Sequence, residues 1–113
     1  MEDCMRKTPI RFQEFTKQYS GLATAYENIA EECRRVGPLN ERECALVRLG
    51  IAAGSHMEGS VHSQVRKSLD IGVQPDEIRH AIILGLTAIG FPRMMAALTW
   101  AEDILARESP KKD

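Results

Sequence analysis

Aromatic side chains make up only 5% of the 113 residues, with a single tryptophan, so the core cannot be built from stacked rings. Packing must come from aliphatic and small side chains that let helices approach closely. Cysteine is scarce as well: Cys4, Cys33 and Cys44 are an odd number with no Cys-x-x-Cys pair, which argues against a disulfide framework and a zinc knuckle and leaves reduced thiols. Neither sign of charge dominates. Fifteen Lys+Arg against sixteen Asp+Glu leave a net charge of −1, so there is no positive field to draw the chain to nucleic acid or to an anionic membrane surface. The uncharged stretch at the apolar centre, Ala81 to Phe91, is eleven residues, about half of the roughly twenty that a transmembrane helix needs. The N-terminus, Met1 to Lys7, is charged with no apolar stretch behind it, so no secretory signal is expected and the chain is placed in the cytoplasm. Glycine-rich phosphate loops, GxSxG elbows, HExxH and EF-hand patterns are all missing. Strand signals are missing too, since no alternating run of β-branched residues falls between turn pairs.

What is present is helical. With 43% apolar and 27% charged residues the composition is that of a folded globular chain, and its length suits one domain. Residues 1–113 therefore read as a single domain, with N-terminal helices over 9–36, a main segment over 39–105 and a charged tail over 106–113. A short helix opens at Pro9 with Ile10, Phe12 and Phe15 as anchors, and Ser20 is placed to cap the next. That second helix carries Leu22, Ala25, Tyr26, Ile29, Ala30 and Cys33 at three- and four-residue spacing and stops at Gly37-Pro38. Asn40 heads a segment from Glu41 to Ala53 with little polar surface, the mark of a mostly buried helix. Gly54 ends it, Ser55 caps the following helix, and Met57, Val61, Val65 and Leu69 line one stripe up to Gly72. Pro75-Asp76-Glu77 starts a helix that runs apolar nearly all round to Ile89. Gly90-Phe91-Pro92 interrupts, and a last helix from about Pro92 carries Met94, Met95, Ala97, Leu98, Ala101, Ile104 and Leu105. The fold class expected is all-α, a compact bundle of about five to six helices. Two helices apolar on more than one face are too much for so short a chain to cover, which points to an obligate-type homo-oligomer joined through Ala81 to Leu105.

One group of residues suits proton chemistry. Glu58 and His62 are i and i+4 on one helix and share a face, so the carboxylate can orient the imidazole. Glu43, near the start of the preceding helix, joins them if the tight Gly54-Ser55 connection makes the two helices antiparallel neighbours. Histidine changes charge near neutral pH, so a carboxylate, histidine, carboxylate set can move protons. Each member also has a structural reading. Asn40-x-x-Glu43 and Ser55-x-x-Glu58 have the spacing of a capping box, and His62 beside Val61 and Val65 suits a hydrogen-bonded packing residue. His56 and His80 have weaker claims. A metal site from His56, Glu58 and His62 is set aside, because i to i+6 spacing splays the two histidines across different faces; no metal and no cofactor is expected. Met57, Met94 and Met95 read as core filler, and Cys44, with no adjacent base, as inert.

From Leu39 to Leu105 the pattern resembles the carboxymuconolactone decarboxylase family, which shares the alkylhydroperoxidase D-like all-helical fold. The resemblance rests on Leu39-Asn40-Glu41-Arg42-Glu43 leading into an apolar helix, His62 nineteen residues after Glu43, Val65 to Leu69, Gly72, Asp76-Glu77-Ile78 and the Gly90-Phe91-Pro92 break. Peroxidase members carry Cys-x-x-Cys-x-x-x-His, and here the two cysteine positions hold Ser55 and Glu58. Members similar to the lactone decarboxylase have Glu four residues before the histidine, and Glu58-x-x-x-His62 fits that variant. The resemblance implies cofactor-free loss of CO₂ from a carboxylated butenolide. His62 would be the acid or base, Glu43 and Glu58 would tune or orient it, and Ser55 would donate a hydrogen bond. The substrate would be a small dicarboxylate, so a cation is needed to offset its charge, with Arg48, Arg66 and Arg93 as candidates. By the same resemblance the assembly would be a trimer or hexamer. Two alternatives stand beside this: thiol peroxidase activity, which lacks its cysteine pair here, and a non-catalytic member that uses the scaffold for binding or interaction.

Overall fold

The computed structural model describes residues 9–108, so Cys4 and most of the charged tail lie outside the described residues. Seven helices follow one another: α1 (Ile10–Gln18), α2 (Ser20–Arg35), α3 (Glu41–Ser55), α4 (Glu58–Asp70), α5 (Pro75–Ile83), α6 (Leu86–Ile89) and α7 (Phe91–Glu108). No strand occurs among the described residues, and the fold class is all-α. The chain divides into two compact units, Met1–Asn40 and Glu41–Asp113.

In the first unit α1 and α2 meet at the single residue Tyr19, whose N–H donates to the Phe15 carbonyl at 2.8 Å and whose carbonyl accepts from the Ala23 N–H at 3.0 Å. The rings of Phe15 and Tyr19 stand 5.2 Å apart. Ser20 is not the cap expected of it: it is the first helical residue of α2, and Tyr19 is the N-cap without a side-chain hydrogen bond. Neither helix buries a residue.

The second unit holds the core. Ala45, Leu49, Ala52 and Ala53 of α3, Val61 and Val65 of α4, Val73 in the α4–α5 connection, Ile78 and Ile82 of α5, and Met94, Ala97, Ala101, Ile104 and Leu105 of α7 are all buried. The three- and four-residue steps along α7 make one continuous stripe, and α7 packs against α3, α4, α5 and α6. Alanines on both α3 and α7 let these backbones come close.

Two further boundaries differ from the sequence reading, each for a local reason. Helix α3 runs through Gly54 to Ser55 and is ended by His56, which takes the left-handed conformation at φ 59°. Histidine is among the few non-glycine residues that enter that region readily. The single helix expected from Pro75 to Ile89 is broken at Leu84-Gly85 into α5 and the one-turn α6. At the break the Gly85 N–H donates to the Ile82 carbonyl at 2.9 Å, a three-residue closure that tightens the helix and redirects it. A Cβ on Gly85 would lie 3.0 Å from that same carbonyl oxygen. Finally, Met57 is not core filler but largely exposed, and Met95 is half-exposed; of the three, only Met94 is buried.

Candidate active site

Helix α4 presents its core residues Val61, Val65 and Ser68 on one face. At about 100° per residue, Glu58, His62 and Arg66 fall on one flank of that face, and Ser60 and Gln64 on the other. These two flanks meet different neighbours.

On the first flank, His62 Nε2 lies 2.9 Å from Asp103 Oδ2 of α7 and 3.9 Å from Glu58 Oε2. His62 is half-buried and both carboxylates are exposed. Glu58 is not engaged as a cap. The N-cap of α4 is Met57, with no side-chain capping bond, and the Ser55 hydroxyl turns back to donate to the Ala52 carbonyl at 2.8 Å. The capping box forms elsewhere, at α5, where the Gln74 N–H donates to Glu77 Oε1 at 2.9 Å. That hydrogen bond, with Arg42 beside it, holds the Glu77 carboxyl below its ordinary value.

Asp103 is the residue that sequence reasoning missed. It follows Glu102, and the two sit about 100° apart on α7, flanking the buried stripe. Glu102 accepts two bonds from Arg79 of α5, at 2.6 and 3.1 Å, while Asp103 faces His62. Nothing in the local sequence separates a structural carboxylate from one paired with an imidazole forty-one residues earlier.

The other predicted site residues do not all converge. Arg48 Nε donates to Gln64 Oε1 at 3.3 Å, which places it on the second flank of α4. There Arg48, Ile51, Ala52, Ser55, Ser60 and Gln64 line an open cavity of about 230 Å³. Arg48 and Ser55 are thus across α4 from His62. Arg66 shares the His62 flank one turn on. Burial pushes its guanidinium below the ordinary arginine value, an effect that the Asp70 carboxylate opposes. Arg93 is in the first turn of α7, about 15 Å of helix rise from Asp103. Glu43 is exposed in the first turn of α3. His80 is exposed, and His56 rests against Trp100 with ring centroids 5.3 Å apart.

As to metal, the ligand atoms of Glu58, His62 and Asp103 lie within 4.8 Å of one another, whereas His56 takes no part. Two of the three are carboxylates that water solvates well where they stand.

Fold and site together define an all-α protein with a histidine flanked by two carboxylates at the seam between two helices of its core unit. The model of the carboxymuconolactone decarboxylase family matches residues 21–103, and the chain belongs to that family. The match begins within α2, earlier than the Leu39 at which the sequence pattern becomes recognisable. No curated protein and no solved structure matches the chain.

Proposed function

We propose that this member of the family is a cofactor-free lyase that removes CO₂ from a small carboxylated lactone or related acid by acid–base chemistry at His62. The observation that carries the reading is the seat of the imidazole, 2.9 Å from Asp103 and 3.9 Å from Glu58. Breaking the bond between carbon and carboxylate expels CO₂ and leaves its electron pair on the ring carbon as an enolate. Protonated His62 delivers a proton to that carbon, and solvent restores it. The two carboxylates beside the ring orient it for that transfer. Arg66, on the same flank of α4, suits the carboxylate that the substrate keeps.

Ser55 and Glu58 at the cysteine positions speak against thiol peroxidase chemistry, which needs a dithiol that cycles through a disulfide. The described thiols, Cys33 on α2 and Cys44 in the first turn of α3, are on other elements.

Assembly as a homo-oligomer belongs to the same proposal. Ile83, Leu84, Leu86 and Phe91 are each at least 41% exposed around the α5–α6–α7 turns, an apolar surface suited to a second copy. A monomeric mass in light scattering at micromolar concentration would contradict it.

The experiment is CO₂ release from carboxymuconolactone, followed with wild type, His62→Gln and Asp103→Asn. His62→Gln should lower turnover by about 10²–10⁴-fold, the usual contribution of a positioned acid, with the helical circular dichroism unchanged. Asp103→Asn should lower it less. Turnover retained in His62→Gln would remove the acid's role from His62, and no turnover of any carboxylated lactone by wild type would favour a non-catalytic member instead.

A further inference from the structure

We propose that the cavity between α3 and α4 on the far side of α4 from His62 is a separate binding site for a small carboxylate, with Arg48 as its cationic anchor. Its lining holds a guanidinium, two hydroxyls and an amide, and no carboxylate. Arg48 is half-buried, and its only partner among the described residues is a neutral one, Gln64 Oε1. Both of its Nη groups are therefore unspent. A partly desolvated cation without a counter-ion gains more from an anion than a solvated one does.

The remaining polar groups add to the same preference. Because arginine can only donate, its bond to Gln64 fixes the amide with Oε1 toward Arg48 and leaves the Nε2 hydrogens available. Ser60 is half-buried, and its hydroxyl has no partner among the described residues. Three sets of unpaired donors thus line one concavity. An acceptor-only ligand with a single negative charge matches one guanidinium, and the paired oxygens of a carboxylate match its fork. Ile51 and Ala52 supply an apolar wall for a short alkyl group. The volume, about 230 Å³, is below the ~300–1,000 Å³ of sites for drug-sized ligands, which limits the occupant to an acid of a few carbons. The site stands independently of any chemistry at His62.

The test is an NMR titration of the full chain with sodium propionate, and separately with inorganic phosphate, at constant ionic strength held with chloride. Propionate should give saturable shifts confined to the Arg48 side chain and to amides around Ile51, Ser60 and Gln64. Arg48→Met, which keeps the apolar stem, should weaken binding at least about tenfold, the least that loss of a charge-assisted hydrogen bond entails. Ser60→Ala should weaken it by a smaller factor, and Arg66→Met should leave it unchanged. Absence of saturable shifts, equal binding by Arg48→Met, or tighter binding of phosphate than of propionate would overturn the proposal. So would a change of mass in light scattering on Arg48→Met, since that would assign the guanidinium to a neighbouring copy.

Discussion

Replacing Ser68 by alanine should make this protein more stable. Ser68 is fully buried on α4, and its hydroxyl has no hydrogen-bond partner among the described residues. A buried hydroxyl left unpaired costs about 1–3 kcal/mol relative to its hydration in the unfolded chain. Alanine removes that cost, and in a helix interior it is also favoured over serine by about half a kcal/mol. Against this stands the loss of one oxygen's packing contacts, a void smaller than a methyl group and worth less than ~1 kcal/mol. The balance is a gain of about 1–2 kcal/mol. For a unit the size of α3 to α7, each kcal/mol raises the melting temperature by roughly 4–8 °C. Urea unfolding followed by circular dichroism should show a higher midpoint at unchanged slope, because the buried area is the same. A loss of more than about half a kcal/mol would refute the reasoning. It would mean that the hydroxyl is paired in solution, with the Gln64 carbonyl one turn back as the natural acceptor.

Two further predictions concern backbone and charge. Gly85→Ala brings a Cβ to 3.0 Å from the Ile82 carbonyl oxygen and 3.4 Å from the Ile89 side chain, whereas at Gly54 it meets only Ile89 at 3.8 Å. Gly85→Ala should therefore destabilise by about 1 kcal/mol or more, and Gly54→Ala, at the end of α3, should stabilise by up to about 1 kcal/mol; thermal melts in the reverse order would overturn the account of the α5–α6 break. Glu77 is held below its ordinary value of 4.5 by the Gln74 N–H and by Arg42. A carboxyl depressed in the folded state contributes stability above its unfolded value and loses it as pH falls through the lower folded value. Urea midpoints of the wild type should fall with acid below about that point more steeply than those of Glu77→Gln, and parallel curves would contradict the capping role given to Glu77.

Much of the helical framework was legible from spacing. The α2 stripe, the start of α5 at Pro75 and the break at Gly90 follow from periodicity and from residues whose backbone preferences are local. The misjudged boundaries have local causes that spacing does not show. Gly54 looks like a stop, but the chain needs a left-handed residue two positions later, and His56 supplies it. Ser55 followed by Glu58 has capping-box spacing, yet Ser55 still belongs to α3 and bonds backward to Ala52. With that cap gone, Glu58 has His62 as its partner. The site was half legible, since an i, i+4 pair depends on one helix alone. Asp103 was not, and neither was the separation of Arg48 from His62 by the body of α4.

The sequence by itself determined the all-helical class, the family and the pairing of Glu58 with His62. Each depends on residues a few positions apart, where helix geometry sets distance directly. The tertiary structure decided which flank of α4 faces α3 and which faces α7. That choice gave His62 a second carboxylate from α7 and left Arg48 over a cavity of its own. Its cause is the burial of Val61, Val65 and Ser68: once that face turns inward, the polar residues on either side are assigned to different neighbours, and no spacing along the chain records which.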